Sequence, residues 1–259
     1  MLTKKYILLL LEWYDYRIHR GVAQIARENG WQLNCPKNPV NNVGFLEDWK
    51  GDGCIALLEC TETLAYFKTH QIPLIDLGLA EHSLPVQRVV TDNEETARLA
   101  AEHFRDQGYR EIFTLSPGNT KMYEERLHYF KKQIENEGGR VHMIQSDHIH
   151  PGVIHELRAE AARRERRLEE MSIGFFAFED AMGAELISLL LKHELSVPEN
   201  VAVLGVDNDD LINSGLTLGL SSVDTDLEGL GKRAAQELNH LLSNPMKEHY
   251  PTVIRQKPL

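Results

Sequence analysis

The stretch that decides the fold runs from Ile173 to Asp207. It opens on Ile173-Gly174-Phe175-Phe176-Ala177-Phe178, an apolar run without alternation, and closes on a second such run, Val201-Ala202-Val203-Leu204-Gly205-Val206. Between them Met182–His193 reads as a helix, with Pro198 marking a stop beyond it. Strands that are apolar at every position are covered on both faces, the condition of a parallel sheet with helices on either side.

The same alternation extends outward almost to both ends. Tyr6–Leu11, Cys54–Leu58, Pro73–Leu77, Arg88–Val90, Ile112–Leu115 and Val141–Ile144 read as further strands. Ile18–Asn29, Glu62–Thr69, Glu94–Gln107, Glu124–Glu137 and Ile154–Glu170 read as helices. Asp92-Asn93 can cap the helix that follows, and Gly108 stops it after Ala97, Ala100, Ala101 and Phe104 have set a face. The chain is 259 residues long, enough for one large α/β domain or two lobes.

Charge and cysteine content exclude several classes. Lys and Arg number 28 against 39 Asp and Glu, a formal net charge of −11, which argues against a surface that grips phosphates all over. Cys35, Cys54 and Cys60 form neither a disulfide framework nor a zinc pattern and fit a reducing cytosol. Lys4-Lys5 ahead of Tyr6–Leu11 has the look of a signal peptide, but the run ends at Glu12 with no cleavage site, so a buried first strand explains it better. No apolar stretch approaches the roughly 20 residues of a membrane helix, and the chain reads as cytoplasmic. The interleaved Arg and Glu residues of Arg158–Glu170 read as a solvated helix face.

Parallel sheets bind ligands at the carboxyl ends of their strands. No GxGxxG follows Tyr6–Leu11, and neither GxxxxGK[ST] nor GxSxG occurs, so no cofactor loop or nucleophile elbow is read. His142, His148, His150 and His155 fit no metal spacing and read as exposed loop residues; Asp207-Asn208-Asp209-Asp210 lacks the pattern of a calcium loop. What remains at the strand ends is Trp13, Tyr14, Asp15 and Arg17, then Glu179-Asp180, Asp207, and Arg126 early in a helix. Carboxylates accept from vicinal hydroxyls, a guanidinium donates to two oxygens, and an indole covers the apolar face of a sugar ring. The bland alternative is that Asp15 and Asp180 cap helices and Trp13 fills core.

Several motifs carry a family resemblance. Val197-Pro198-Glu199-Asn200-Val201-Ala202-Val203-Leu204-Gly205-Val206-Asp207-Asn208 resembles the VPxDVxVxGFDD signature of LacI/GalR-type effector domains. Leu220-Ser221-Ser222-Val223 with Gly231 and Ala234-Ala235, Phe176 through Met182, and Asp92-Asn93 through His103 to Gly108 resemble further family segments in the same order. Tyr14-Asp15-Tyr16-Arg17 then Gly21-Val22, Trp49-Lys50-Gly51-Asp52-Gly53 and Val90-Thr91-Asp92-Asn93 are similar to AraC-type activators that carry this module ahead of their DNA-binding helices.

The resemblance implies an α/β fold of the periplasmic-binding-protein-like type I. Two Rossmann-like lobes with parallel sheets would be joined by three crossovers, near Tyr109-Arg110, Val223-Asp224 and Pro245, and would close on a ligand. The N-terminal lobe would comprise 1–109 plus 224–245, and the C-terminal lobe 110–223 plus 246–259. Arg126 falls on the family's sugar-hydroxyl arginine and Asp207 on its ligand-binding aspartate. Asp180 also matches, whereas Glu179 stands where many members have Asn, and Tyr129 replaces a Gly, which would narrow the pocket. Asp15, Tyr14 and Trp13 are the first-lobe candidates. The implied function is sugar sensing in a transcription regulator, with a pentose such as D-xylose first. No metal or cofactor is expected, the partner is a second copy of the chain, and DNA would be reached only through a module beyond Leu259. The alternatives are a cytosolic enzyme using Asp207 with Arg126 as an acid–base pair, and a solute-binding protein of a transport system.

Overall fold

In the computed structural model, residues 4–37, 46, 49–58, 61–79, 85–244 and 252–259 are described. The chain divides into two units, Met1–Thr91 with Asp226–Gln256, and Asp92–Thr225 with Lys257–Leu259.

The first unit is built on a six-stranded sheet, every pairing of which is parallel. Its strands are β1 (Tyr6–Leu11), β2 (Gln32–Asn34), β3 (Gly53–Leu57), β4 (Leu74–Asp76), β5 (Gln87–Thr91) and β11 (Val253–Gln256), in the spatial order β11-β5-β4-β3-β1-β2. The apolar run of β1 feeds both faces. Ile7, Leu9 and Leu11 pack with helix α1 (Tyr16–Glu28), while Leu8 and Leu10 pack with Leu64 and Phe67 of helix α2 (Thr61–Thr69). This two-sided burial is why the run lacks alternation. Helix α8 (Leu227–Ser243) returns to this unit and lies against α1. A Cβ on Gly231 would overlap the Ile18 carbonyl, and one on Gly21 the Glu228 carbonyl, so both positions need glycine for this close approach.

The second unit carries a five-stranded sheet, also parallel throughout, in the order β10-β9-β8-β6-β7. Its strands are β6 (Glu111–Leu115), β7 (Arg140–Ile144), β8 (Ile173–Phe176), β9 (Val201–Val206) and β10 (Ser221–Val223). Its helices are α3 (Asn93–Asp106), α4 (Lys121–Asn136), α5 (Pro151–Arg163), α6 (Asp180–Lys192) and the short α7 (Asp210–Ser214). The buried residues of α4 are Arg126, Phe130 and Ile134, a stripe at four-residue spacing whose amino-terminal member is an arginine.

The deciding stretch folds as read, strand–helix–strand, with β1 and β9 at the expected bounds. Asp92 caps α3 by accepting from the Glu95 amide, and Gly108 follows its end at φ +83°. The expected lobe bounds need correcting. The chain crosses between units after Thr91, not at Tyr109-Arg110, because Ala97, Ala100, Ala101 and Phe104 of α3 share a core with Ile112 and Phe130. It returns at Thr225/Asp226, and residues 253–256 belong to the first unit because β11 pairs with β5. Pro245 and Cys60 lie outside the described residues. The expected helix Ile154–Glu170 ends at Arg163; Glu165 adopts φ +56° and a separate 3-10 turn covers Leu168–Glu170. The Arg–Glu segment is laced as read, with Arg163 and Arg164 on Glu160 and Arg158 on Glu169. His142 is not a loop residue. It lies half-buried on β7, its Nε2 2.6 Å from Glu111 Oε2 and its ring stacked on Phe113.

Among the described residues, no helix is long and apolar enough to cross a membrane.

Candidate functional site

Arg126 organises the site. Its residue is 0% exposed, so the guanidinium is cut off from water. Nε donates to Asn93 Oδ1 at 3.0 Å, and Nη1 donates to the Phe178 carbonyl. Nη2 is buried and has no partner among the described residues. Neither recorded acceptor is charged, and an unmet buried donor costs about 1–3 kcal/mol, more for a charged group. Such a cost persists where the donor serves something other than the fold. Asn93 is itself held, its Nδ2 donating to Glu125 Oε2 at 2.8 Å, which turns its carbonyl oxygen toward Arg126.

Around this guanidinium lie groups from the carboxyl ends of two neighbouring strands. Glu179 follows β8 and the buried Phe178. Burial pushes its carboxyl above the ordinary range, and the facing Asp207 adds to this, while a hydrogen bond from Tyr123 and the charge of Arg126 work the other way. Tyr123, three residues before Arg126 on α4, stacks on Phe178 with ring centroids 5.0 Å apart. Burial and the Glu179 carboxylate raise its phenol pKa, so the hydroxyl stays protonated and donates. Asp207 follows β9 with φ +94°, a conformation unusual for a side-chain-bearing residue. Its amide donates to the Val223 carbonyl at 2.8 Å, and its Oδ1 accepts from Thr225 Oγ1 at 2.7 Å, which fix the strained backbone.

The sequence-predicted residues divide into three groups. Arg126, Glu179 and Asp207 are brought together. Asp180, 4% exposed, instead serves the fold: its Oδ2 accepts from the Asp209 amide and its Oδ1 from Ser222 Oγ, each at 2.6 Å. It thereby ties the start of α6 to the loop before α7 and to β10, and Gly205 must lack a Cβ to leave it room. The third group lies in the first unit. Asp15 caps α1, accepting from the Arg17 and Ile18 amides, and its Oδ2 also pairs with the Arg17 guanidinium at 2.7 Å. Trp13 is 52% exposed and Tyr14 63%, so Trp13 does not fill core; the Tyr14 hydroxyl lies 3.0 Å from His19 Nδ1. Tyr129 packs on the core of the second unit and on His128. Among the described residues no group of three or more His, Cys, Asp or Glu is placed to hold a metal ion.

Sequence reasoning missed Asn93, Tyr123 and Phe178 as parts of the site. Each carried a signal. Tyr123 shares a helix face with Arg126 at i, i+3, Phe178 directly precedes Glu179, and Asn93 follows a capping aspartate at a strand end.

The Periplasmic binding protein-like domain family matches residues 101–257, more than half of the chain. The xylose operon regulatory protein of Escherichia coli K12 is 25% identical over 264 residues, an alignment covering 97% of this chain and 66% of that protein. The chain therefore spans just under two thirds of that relative's length. Among solved structures, a LacI family transcriptional regulator from Enterococcus faecium with bound ribose superposes with a TM-score of 0.79 at 19% identity, covering 98% of this chain and 96% of that one. A periplasmic binding protein/LacI transcriptional regulator from Alkaliphilus metalliredigens, complexed with D-xylulofuranose, gives a TM-score of 0.77 at 18% identity, with 98% and 96% covered. At these identities the superpositions speak for the fold, an α/β architecture with two parallel sheets. The chain belongs to the periplasmic binding protein-like domain family.

Proposed function

We propose that this chain is the effector-sensing domain of a transcription regulator and binds a sugar, with a pentose such as D-xylose first, at the carboxyl edge of the second unit's sheet. The observation that carries the reading is the buried Nη2 of Arg126, a charged donor with no acceptor among the described residues. A sugar hydroxyl supplies that acceptor and can donate in turn to a carboxylate such as Glu179. The relatives support the ligand class: one regulates a xylose operon, and two superposable regulators hold ribose and D-xylulofuranose.

The finer parts of the reading are that the parent regulator is of the AraC type, acts in the cytoplasm as a homodimer and reaches DNA through a module outside these residues. Ligand binding then acts by favouring one conformational population over another through differential affinity. An enzyme using Asp207 with Arg126 as an acid–base pair gains no support, because Asp207 Oδ1 accepts from Thr225 and Arg126 bonds Asn93 and Phe178.

Calorimetric titration against a panel of pentoses and hexoses tests the reading. Saturable binding of at least one pentose, D-xylose first, is the expected result. Binding of a purine with none of the sugars would overturn it.

A further inference from the structure

The site in the second unit holds two carboxylates against one guanidinium. Glu179 directly follows Phe178, whose carbonyl accepts from Arg126 Nη1, and its carboxylate accepts from Tyr123; the charges of Asp207, Arg126 and Glu185 of α6 all act on it. Tyr123 is fixed in turn by its stack on Phe178, so the Glu179 carboxylate is held by a rigid neighbour. An ionised carboxylate only accepts hydrogen bonds, whereas the orphaned Nη2 of Arg126 only donates. A ligand matching this arrangement offers an acceptor to Arg126 and donors to the carboxylates. A hydroxyl-bearing carbon chain does both. An anionic oxygen satisfies Arg126 but meets uncompensated negative charge beside it, in surroundings where burial weakens screening.

We propose that Glu179 is a specificity-determining residue that admits neutral polyols and rejects sugars bearing an anionic oxygen, such as aldonates and sugar phosphates. The inference rests on the sugar reading above and deepens it by assigning one side chain the rejection. Discrimination of this kind works through a repulsive element built against the wrong partner. An amide at the same position would remove the repulsion and provide a donor, leaving the size of the site nearly unchanged.

The test is titration calorimetry at about pH 8 on the native protein and on Glu179→Gln. The probes are D-xylose with D-xylonate, and D-ribose with D-ribose 5-phosphate. The native protein is expected to bind the neutral pentose at least about tenfold more tightly than its anionic counterpart. In Glu179→Gln that ratio should narrow to within about threefold, chiefly because the anionic sugar gains affinity. A ratio unmoved by the substitution while the neutral pentose still binds overturns the charge filter and leaves the sugar reading standing. A native preference for the anionic sugars does the same. Binding of a purine with neither pentose overturns both. Should Glu179→Gln fail to fold, Glu179→Ala, which also removes the carboxylate, is titrated with the same probes. Loss of the carboxylate must then narrow the xylose-to-xylonate ratio, and a constant ratio overturns the proposal.

Discussion

The two units treat their buried and half-buried arginines in opposite ways. In the first, Arg88 reaches from β5 to the buried Asp76 at the end of β4, with Nε 3.1 Å from Oδ2, and Arg17 pairs with Asp15 two residues before it. Each guanidinium has a carboxylate partner supplied by the same unit. In the second, Arg126 is buried more deeply, yet among the described residues its acceptors are an amide oxygen and a carbonyl, and Nη2 has none. Of the carboxylates whose charge acts around it, Glu179 accepts from Tyr123 and Asp207 from Thr225. Removing one member of a buried pair is costly because the other charge is left uncompensated, whereas a buried donor without an acceptor calls for an explanation of its own.

That contrast can be broken in three ways. The largest effect is expected in the first unit. Arg88→Ala leaves the buried Asp76 carboxylate without its guanidinium and should lower unfolding stability by about 3–5 kcal/mol, read as a shift in the denaturant midpoint. A loss below about 1 kcal/mol would show that the pair is no more than a surface-type bridge. Next comes Arg126→Ala, whose main consequence should be on binding. Losing one or two charge-assisted hydrogen bonds of about 1.5–3 kcal/mol each weakens pentose affinity ten- to hundredfold or more and removes the sugar-induced rise in melting temperature. Far-ultraviolet circular dichroism should retain the native helix signal, and unchanged stabilisation by sugar would remove Arg126 from the site.

The smallest effect concerns pH. Burial and the facing Asp207 raise the Glu179 pKa above its ordinary value of 4.5, so the folded chain holds that proton more tightly than the unfolded chain. The contribution is present in full below the ordinary value and is lost as pH rises through the raised one. Glu179→Gln should therefore gain stability relative to the native protein as pH climbs from about 4 toward 8, the difference cancelling the slopes of the other carboxylates. A gap that stays constant, or shrinks with rising pH, contradicts the shift.

The sequence carried the sheets well and the ends of the chain poorly. Uninterrupted apolar runs such as Tyr6–Leu11 and Val201–Val206 are legible because burial on both faces demands them at every position. The strands that escaped reading are β2, β10 and β11, of three, three and four residues, all at sheet edges where burial is partial. Helix α8 escaped because Gly229 and Gly231 near its start break the local propensity, and Gly231 is needed only because α1 passes so close. The site was half legible. Arg126, Glu179, Asp207 and Asp180 were all candidates from strand ends and a familiar pattern, and nothing local told Asp180 apart from the three that the fold brings together. The hydrogen bonds that commit it to Asp209 and Ser222 join residues 29 and 42 positions away.

By itself, the sequence determined the alternation of buried strands and amphipathic helices, and with it the parallel α/β class, since hydrophobic period is a local property of neighbouring residues. It also determined the chemistry on offer at the strand ends. Only the tertiary structure decided which of those polar groups the fold consumes and which it leaves open. Satisfaction of a buried donor or acceptor depends on partners far along the chain, and no local pattern records whether such a partner arrives.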